Sequence, residues 1–283
     1  MPKNVYLTER IQKKIPKYVD HQIEFTGMKI NKHFIICGGT GTGKTSALYN
    51  YILETSKPRK GTFVKIFVCY KTDEILYDDL KEQLEDGIEF HKTMSSMPSV
   101  NDFPDEVEVD FKYKFLVVFD DCVNDKDKDS MKKVNEYFTY GRKKGITLAF
   151  LSQSFFDTAT FIRKQISYLM LLSIKGKRDL DNILRDYGSI NCSREQLEAM
   201  FIDATTPKDE SDMPFFKITT YQCPIQKKFS RDFLEYLNPD NFTITKKDKD
   251  LNSDNFEINE QFKTTKRKIL TKKDKDSSNE TAV

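Results

Sequence analysis

Apolar runs alternate with stretches of helical period along most of this chain. His33 to Cys37 is the first strand-like run, and from Lys44 to about Thr55 the residues Ala47, Leu48, Tyr51 and Ile52 recur at helical spacing before a basic turn, Lys57 to Gly61. Thr62 to Tyr70, β-branched and aromatic, predicts a second strand, and Asp73 to Glu85 a helix that buries Ile75, Leu76, Leu80 and Leu84. After a short Ile88–His91 segment, Met94 to Pro104 reads as an ordered loop. Phe115 to Phe119, apolar throughout, predicts a third core strand buried on both faces. A helix from Met131 to about Lys144, a fourth strand over Ile146–Leu151 and a fifth over Tyr168–Ile174 follow. Arg178 to Tyr187 and Ser193 to Asp203 read as helices, the second opened by a capping box of Ser193 with Gln196, and Phe215 to Thr219 reads as an edge strand. Strands alternating with helices predict an α/β fold, a mostly parallel sheet with helices on both faces.

The pattern fades after Pro239. Charged residues dominate there, and Lys246-Lys247-Asp248-Lys249-Asp250 recurs as Lys272-Lys273-Asp274-Lys275-Asp276, which predicts a mostly disordered tail. Its cluster Lys263, Lys266, Arg267 and Lys268 fits either a solvated charge run or a contact to nucleic-acid phosphates or a protein partner. Over the whole chain of 283 residues, 46 Lys and Arg against 44 Asp and Glu leave a net charge of +2, so no global field draws it to nucleic acid and any such contact is local. Five scattered cysteines without zinc spacing suit a reducing compartment. No stretch resembles a signal peptide or a membrane span, so a soluble, cytoplasmic protein without a membrane partner is expected. His21, His33 and His91 show no metal or triad spacing.

The chemistry lies between the first strand and the first helix. Gly38-Gly39-Thr40-Gly41-Thr42-Gly43-Lys44-Thr45 fits G-x-x-x-x-G-K-[ST] in the strand-to-helix context that this phosphate-cradling pattern requires. Backbone N–H groups of the loop and the positive end of the helix, through Ser46, face one point, and polyphosphate is the expected ligand. Lys44 is expected on the β- and γ-phosphates and the Thr45 hydroxyl on Mg²⁺. The third core strand ends in Asp120-Asp121, at the edge where open α/β sheets bind ligands. Asp120 is placed to hold the Mg²⁺ and Asp121 to polarise the attacking water; taken alone, the pair also fits a turn. Gln153, just past the fourth strand, projects to the same edge and can donate and accept at once, although a helix-capping role also fits.

These motifs, in the order Gly38 to Thr45, Phe119-Asp120-Asp121, Tyr140-Gly141-Arg142-Lys143-Lys144-Gly145-Ile146 and Leu151-Ser152-Gln153-Ser154-Phe155-Phe156, resemble the viral genome-packaging ATPases of the FtsK–HerA superfamily, of the type found in poxviruses, other nucleocytoplasmic large DNA viruses and virophages. The likeness covers about Lys32 to Thr220. It implies a P-loop ATPase with sheet order 5-1-4-3-2. It also implies a homo-oligomeric ring of five or six subunits that drives double-stranded DNA into a capsid, contacts capsid protein, and works in the host cytoplasm or with the virion. Lys44, Asp121 and Gln153 would be catalytic. Arg142 matches the arginine that acts in trans on a neighbour's nucleotide, although in isolation it is one cation of a basic helix end. Relatives often carry Glu where this chain has Asp121. The implied organisation is an extension over residues 1–31, an ATPase domain over 32–239 and the tail over 240–283. Two other classes compete: a P-loop kinase of a small molecule, which needs an arginine-rich lid, and a nucleotide-controlled binding switch.

Overall fold

Nine strands among the described residues form one sheet in the computed structural model. The described residues are 23–58, 61–104, 114–121, 128–174, 176–187, 192–209 and 212–242. The chain divides into two compact units between Asn238 and Pro239, and of the second only the 3-10 turn Pro239–Phe242 is described. The tail cluster Lys263 to Lys268 therefore lies outside the described residues.

The parallel strands are β1 (Phe34–Cys37), β2 (Lys65–Cys69), β3 (Ile88–His91), β4 (Phe115–Asp120), β5 (Ile146–Ser152) and β6 (Tyr168–Leu171). The predicted order of five strands is the middle of the sheet, β6-β1-β5-β4-β2. It is extended at both ends. The short Ile88–His91 segment becomes an outer parallel strand beyond β2. On the other side β7 (Phe216–Thr219), β8 (Phe229–Arg231) and β9 (Glu235–Tyr236) add antiparallel. The expected edge strand is thus covered on both sides.

Apolar residues occupy both faces of the central strands because helices cover both. Phe34 and Ile36 of β1, Leu116 and Val118 of β4, and Ala149 and Leu151 of β5 pack with Ala47, Leu48, Tyr51 and Ile52 of α2 (Lys44–Ser56), which follows the short α1 (Ile23–Thr26). On the opposite face Phe119 and Phe150 meet Tyr137 and Phe138 of α4 (Lys128–Tyr140), with ring centroids 5.5 and 6.2 Å apart. Between them in sequence, α3 (Ile75–Leu84) departs from the expected face: Tyr77 and Leu80 are buried, while Ile75 is 86% exposed. The helix begins two residues later than predicted and is oriented by an aromatic anchor, Tyr77, wedged against Tyr70 and Phe90. The helix expected to run to Lys144 ends at Tyr140 and continues as a 3-10 turn, Gly141–Lys144, that contains Arg142. The later helices are α5 (Thr160–Gln165), α6 (Lys177–Tyr187) and α7 (Arg194–Thr205), the last with the capping box of Ser193 and Gln196.

Residues 23–31, expected within an N-terminal extension, are bound to the sheet. Met28 sits in the core, Lys29 N donates to the Tyr168 hydroxyl at 2.8 Å, and Asn31 N donates to Thr147 Oγ1 at 2.8 Å. Lys217, at the centre of β7, is buried, and its ammonium donates to the carbonyl oxygens of Thr26, at 3.0 Å, and Phe233. Burial pushes its pKa down to about 7. His33 is a buried core residue whose Nδ1 accepts from Leu148 N, and burial, aided by the charges of Arg142 and Lys32, lowers its pKa to about 3.

Candidate nucleotide site

The glycine loop leaves β1 at its C-terminal end and turns into α2 through Gly43, whose φ of +94° is one that side chains disfavour. A Cβ on Gly38 would lie 2.5 Å from Thr42 Oγ1 and 2.9 Å from Leu172 Cβ, so the loop closes on itself only with glycine there. No side chain caps α2, which leaves its first-turn N–H groups for a ligand. Lys44 Nζ donates to the carbonyls of Gly38 and Gly39, at 3.1 and 3.2 Å. A phosphate would take over those contacts.

Three strand tips bring the predicted side chains to one cavity of about 370 Å³, lined by Thr40, Gly41, Gly43, Lys44, Thr45, Ser46, Asp120, Asp121 and Gln153. Gln153 joins two of the motifs: its Nε2 donates to Asp121 Oδ2 at 2.8 Å, and its Oε1 accepts from the Thr40 hydroxyl at 3.3 Å. Asp121 holds a left-handed backbone, φ 55°, at the end of β4. Asp120 is buried and accepts a 2.6 Å bond from the Tyr77 hydroxyl. Burial pushes its pKa up to about 6, opposed by that bond and reinforced by the charges of Asp121 and Glu74. The donor set suits Mg²⁺. Thr45 and Asp120 supply hard oxygen ligands, which with phosphate oxygens and water would complete the coordination.

Four lining residues escaped the sequence reading: Lys71, Thr72 and Glu74, from the connection between β2 and α3, and Met213, from the segment before β7. Strand order could have found the first three, because β2 pairs with β4 and its tip must lie beside Asp120. Met213 packs on Gly43, where a Cβ would lie 2.8 Å from its sulfur. Its place depends on an antiparallel addition that no local pattern announces.

Of the predicted site residues, Gly38, Gly39 and Thr42 belong to the loop without lining this cavity, and Arg142 lies apart from it altogether. It precedes β5, whereas Gln153 follows it, so by the rise of about 3.3 Å per strand residue the two lie more than ~20 Å apart along the sheet. Its guanidinium donates to the Gln165 carbonyl at 2.8 Å and, together with Lys32, Arg163 and Lys164, lines a separate cavity of about 660 Å³.

A glycine loop between a parallel strand and a helix, an acid-tipped apolar strand, and a polar-tipped strand between the two define the P-loop nucleoside triphosphatase class. The sequence profile of the poxvirus A32 protein family matches residues 23–210, and the chain belongs to that family. No curated protein sequence matches it. Among solved structures, the chain is similar to B204, the DNA-packaging ATPase of Sulfolobus turreted icosahedral virus, with 13% identity over 72% of this chain and 98% of that one and a TM-score of 0.48. The genome-packaging NTPase B204 of Sulfolobus turreted icosahedral virus 2, solved with ATP-γ-S, matches with 12% identity, 72% and 98% coverage and a TM-score of 0.46. The cytoplasmic domain of the type VII secretion ATPase EccC of Thermomonospora curvata matches with 13% identity, 73% and 25% coverage and a TM-score of 0.47.

Proposed function

We propose that this chain is a Mg²⁺-dependent ATPase that drives viral double-stranded DNA into a capsid as a homo-oligomeric ring in the host cytoplasm. One observation carries the hydrolytic part. Gln153 bonds at once to the phosphate loop, through Thr40, and to the acid tip of β4, through Asp121, so a change at the γ-phosphate is felt by the carboxylate that faces it. Membership of the poxvirus A32 protein family supports the packaging part.

In this reading the loop N–H groups and Lys44 bind the β- and γ-phosphates, and Lys44 exchanges its carbonyl partners for phosphoryl oxygens that gain charge as the terminal bond breaks. Thr45 and Asp120 hold Mg²⁺, which supplies charge neutralisation on the phosphates when bound. Tyr77 fixes the Asp120 carboxylate from behind. Arg142 acts on the site of a neighbouring subunit. The cations of the nucleotide cavity are Lys44 and Lys71, and no arginine among the described residues lines it, which disfavours a kinase with an arginine-rich lid. A binding switch with little turnover would leave the linked Gln153 and Asp121 without a hydrolytic role.

The test is steady-state ATP hydrolysis with and without long double-stranded DNA, together with the mass of the assembly. A ring with Mg²⁺-dependent, DNA-stimulated turnover that Lys44→Ala reduces by ~10³ or more is the expected result. A monomer indifferent to DNA would contradict it.

A further inference from the structure

Asp121 is poorly placed for the proton transfer that its position after β4 suggests. Its Oδ2 is engaged by Gln153, its backbone sits at φ 55°, and as an aspartate it is one methylene shorter than a glutamate. A third carboxylate, besides Asp120 and Asp121, faces the same cavity. Glu74 lines it beside Lys44, Thr45, Asp120 and Asp121.

The fold explains why Glu74 is there. It stands at the N-cap of α3 with extended backbone, φ −134° and ψ 140°, and its carbonyl oxygen accepts from Tyr77 N at 2.9 Å and Asp78 N at 3.3 Å. The backbone alone caps the helix: the Glu74 side chain makes no capping bond, and no hydrogen bond or ion pair engages its carboxylate among the described residues. One turn later, Tyr77 pins the helix to β4 through its 2.6 Å bond to Asp120, with its ring held by Tyr70 and Phe90. Glu74 immediately precedes the helix that this anchor pins to β4, and it lines the cavity beside the Asp120 carboxylate. The neighbouring strand tip thus supplies a longer, unengaged carboxylate on a rigid mount.

We propose that Glu74 is the general base for ATP hydrolysis and that Asp121 is a positioning residue, acting with Gln153; this rests on the ATPase reading above. As the water oxygen bonds to the γ-phosphorus, the bond from that phosphorus to the β–γ bridging oxygen breaks and its electron pair leaves with ADP. The water proton passes to the Glu74 carboxylate and from there to the released phosphate, which restores the base.

The experiment compares full-length wild type, Glu74→Gln, Glu74→Asp and Asp121→Asn for ATP turnover, for binding of a fluorescent ATP analogue and for the Mg²⁺ concentration at half-maximal rate. Glu74→Gln is expected to lower kcat by ~10² to 10³ while nucleotide affinity and Mg²⁺ requirement stay within about threefold. Glu74→Asp recovers part of the rate, and Asp121→Asn loses about tenfold. Near-normal kcat for Glu74→Gln, a drop for Asp121→Asn as large as or larger than for Glu74→Gln, or loss of nucleotide or Mg²⁺ binding by Glu74→Gln would each overturn the assignment while leaving an active wild type and the ATPase reading intact. A wild type without ATPase activity would overturn both.

Discussion

The two ends of the parallel strands carry opposite chemistry. At the C-terminal end three carboxylates, Glu74, Asp120 and Asp121, converge with Lys44 on the nucleotide cavity. At the N-terminal end the larger cavity gathers Lys32, Arg142, Arg163 and Lys164 around one carboxylate, Asp186, with Tyr187 and Tyr221 in its walls. Strand β5 runs from one end to the other, from just after Arg142 to just before Gln153. Arg142 therefore cannot reach the nucleotide of its own subunit. If Arg142 takes part in phosphoryl transfer, as proposed above, this separation requires that it serve the site of a neighbour. The two arginines also differ. Arg163 stacks over Phe155 and Phe156, 5.2 and 5.3 Å from the ring centroids, and bonds the Thr158 carbonyl, whereas Arg142 reaches only to the Gln165 carbonyl and, at 3.5 Å, to Ser167.

The sharpest way to break this contrast is to remove the arginine. Arg142→Ala is expected to lower turnover by ~10³ with unchanged ATP affinity, because its charge is called on only in the transition state. Arg163→Ala is expected to cost thermal stability and only a few-fold in rate, since it is tied up in packing. Equal rate losses in the two variants would erase the distinction.

Acid separates the two ends by sign. His33, beneath the cationic end, has a folded pKa of about 3 against an ordinary 6.5, so the unfolded chain takes up the proton first, and stability present above pH 6.5 is lost as pH falls toward 3. Replacing it by Asn, which keeps an acceptor for Leu148 N, is expected to recover on the order of 2–4 kcal/mol of that acid loss, read by urea unfolding at pH 7 and pH 4. A pH dependence as steep in the variant as in wild type would contradict it. Asp120 behaves oppositely. Its folded pKa, raised to about 6 from 3.8, makes ionisation a cost that is fully present above pH 6 and disappears as pH falls below 4. Asp120→Asn is therefore expected to stabilise the nucleotide-free chain by on the order of 1–3 kcal/mol at pH 7.5 while weakening Mg²⁺-dependent turnover, a gain and a loss at one residue. A destabilised variant would show that Asp120 is held charged by something other than the nucleotide's metal.

What was legible in the sequence was what lies within a few residues of a motif. The loop from Gly38 to Thr45, the acids after Phe119 and the amide after Ser152 all follow apolar strands directly, and parallel strands deliver their ends to one edge. Met213 was not legible, because it reaches the cavity through an antiparallel addition far along the chain, and Glu74 was legible only through strand order, which sets the tip of β2 beside Asp120. Ile75 was misjudged for the same reason: helical period marks it as apolar face, but the hydroxyl of Tyr77 on Asp120 turns the helix so that Ile75 faces outward. Phe215 to Thr219, expected at an edge, is an inner strand whose Lys217 is accommodated by the carbonyls of Thr26 and Phe233.

Subunit mixing tests the central contrast most directly. Arg142→Ala retains its own Lys44, and Lys44→Ala retains its own Arg142, so each is inactive alone if the arginine acts on a neighbour. Combined in one assembly, shown by mass to contain both, they are expected to regain ATP hydrolysis, with a maximum at intermediate ratios, as Lys44→Ala subunits lend Arg142 to the intact nucleotide sites beside them. Absence of recovery at every ratio in verified mixed assemblies would contradict action across the interface and leave Arg142 as a cation of the turn before β5.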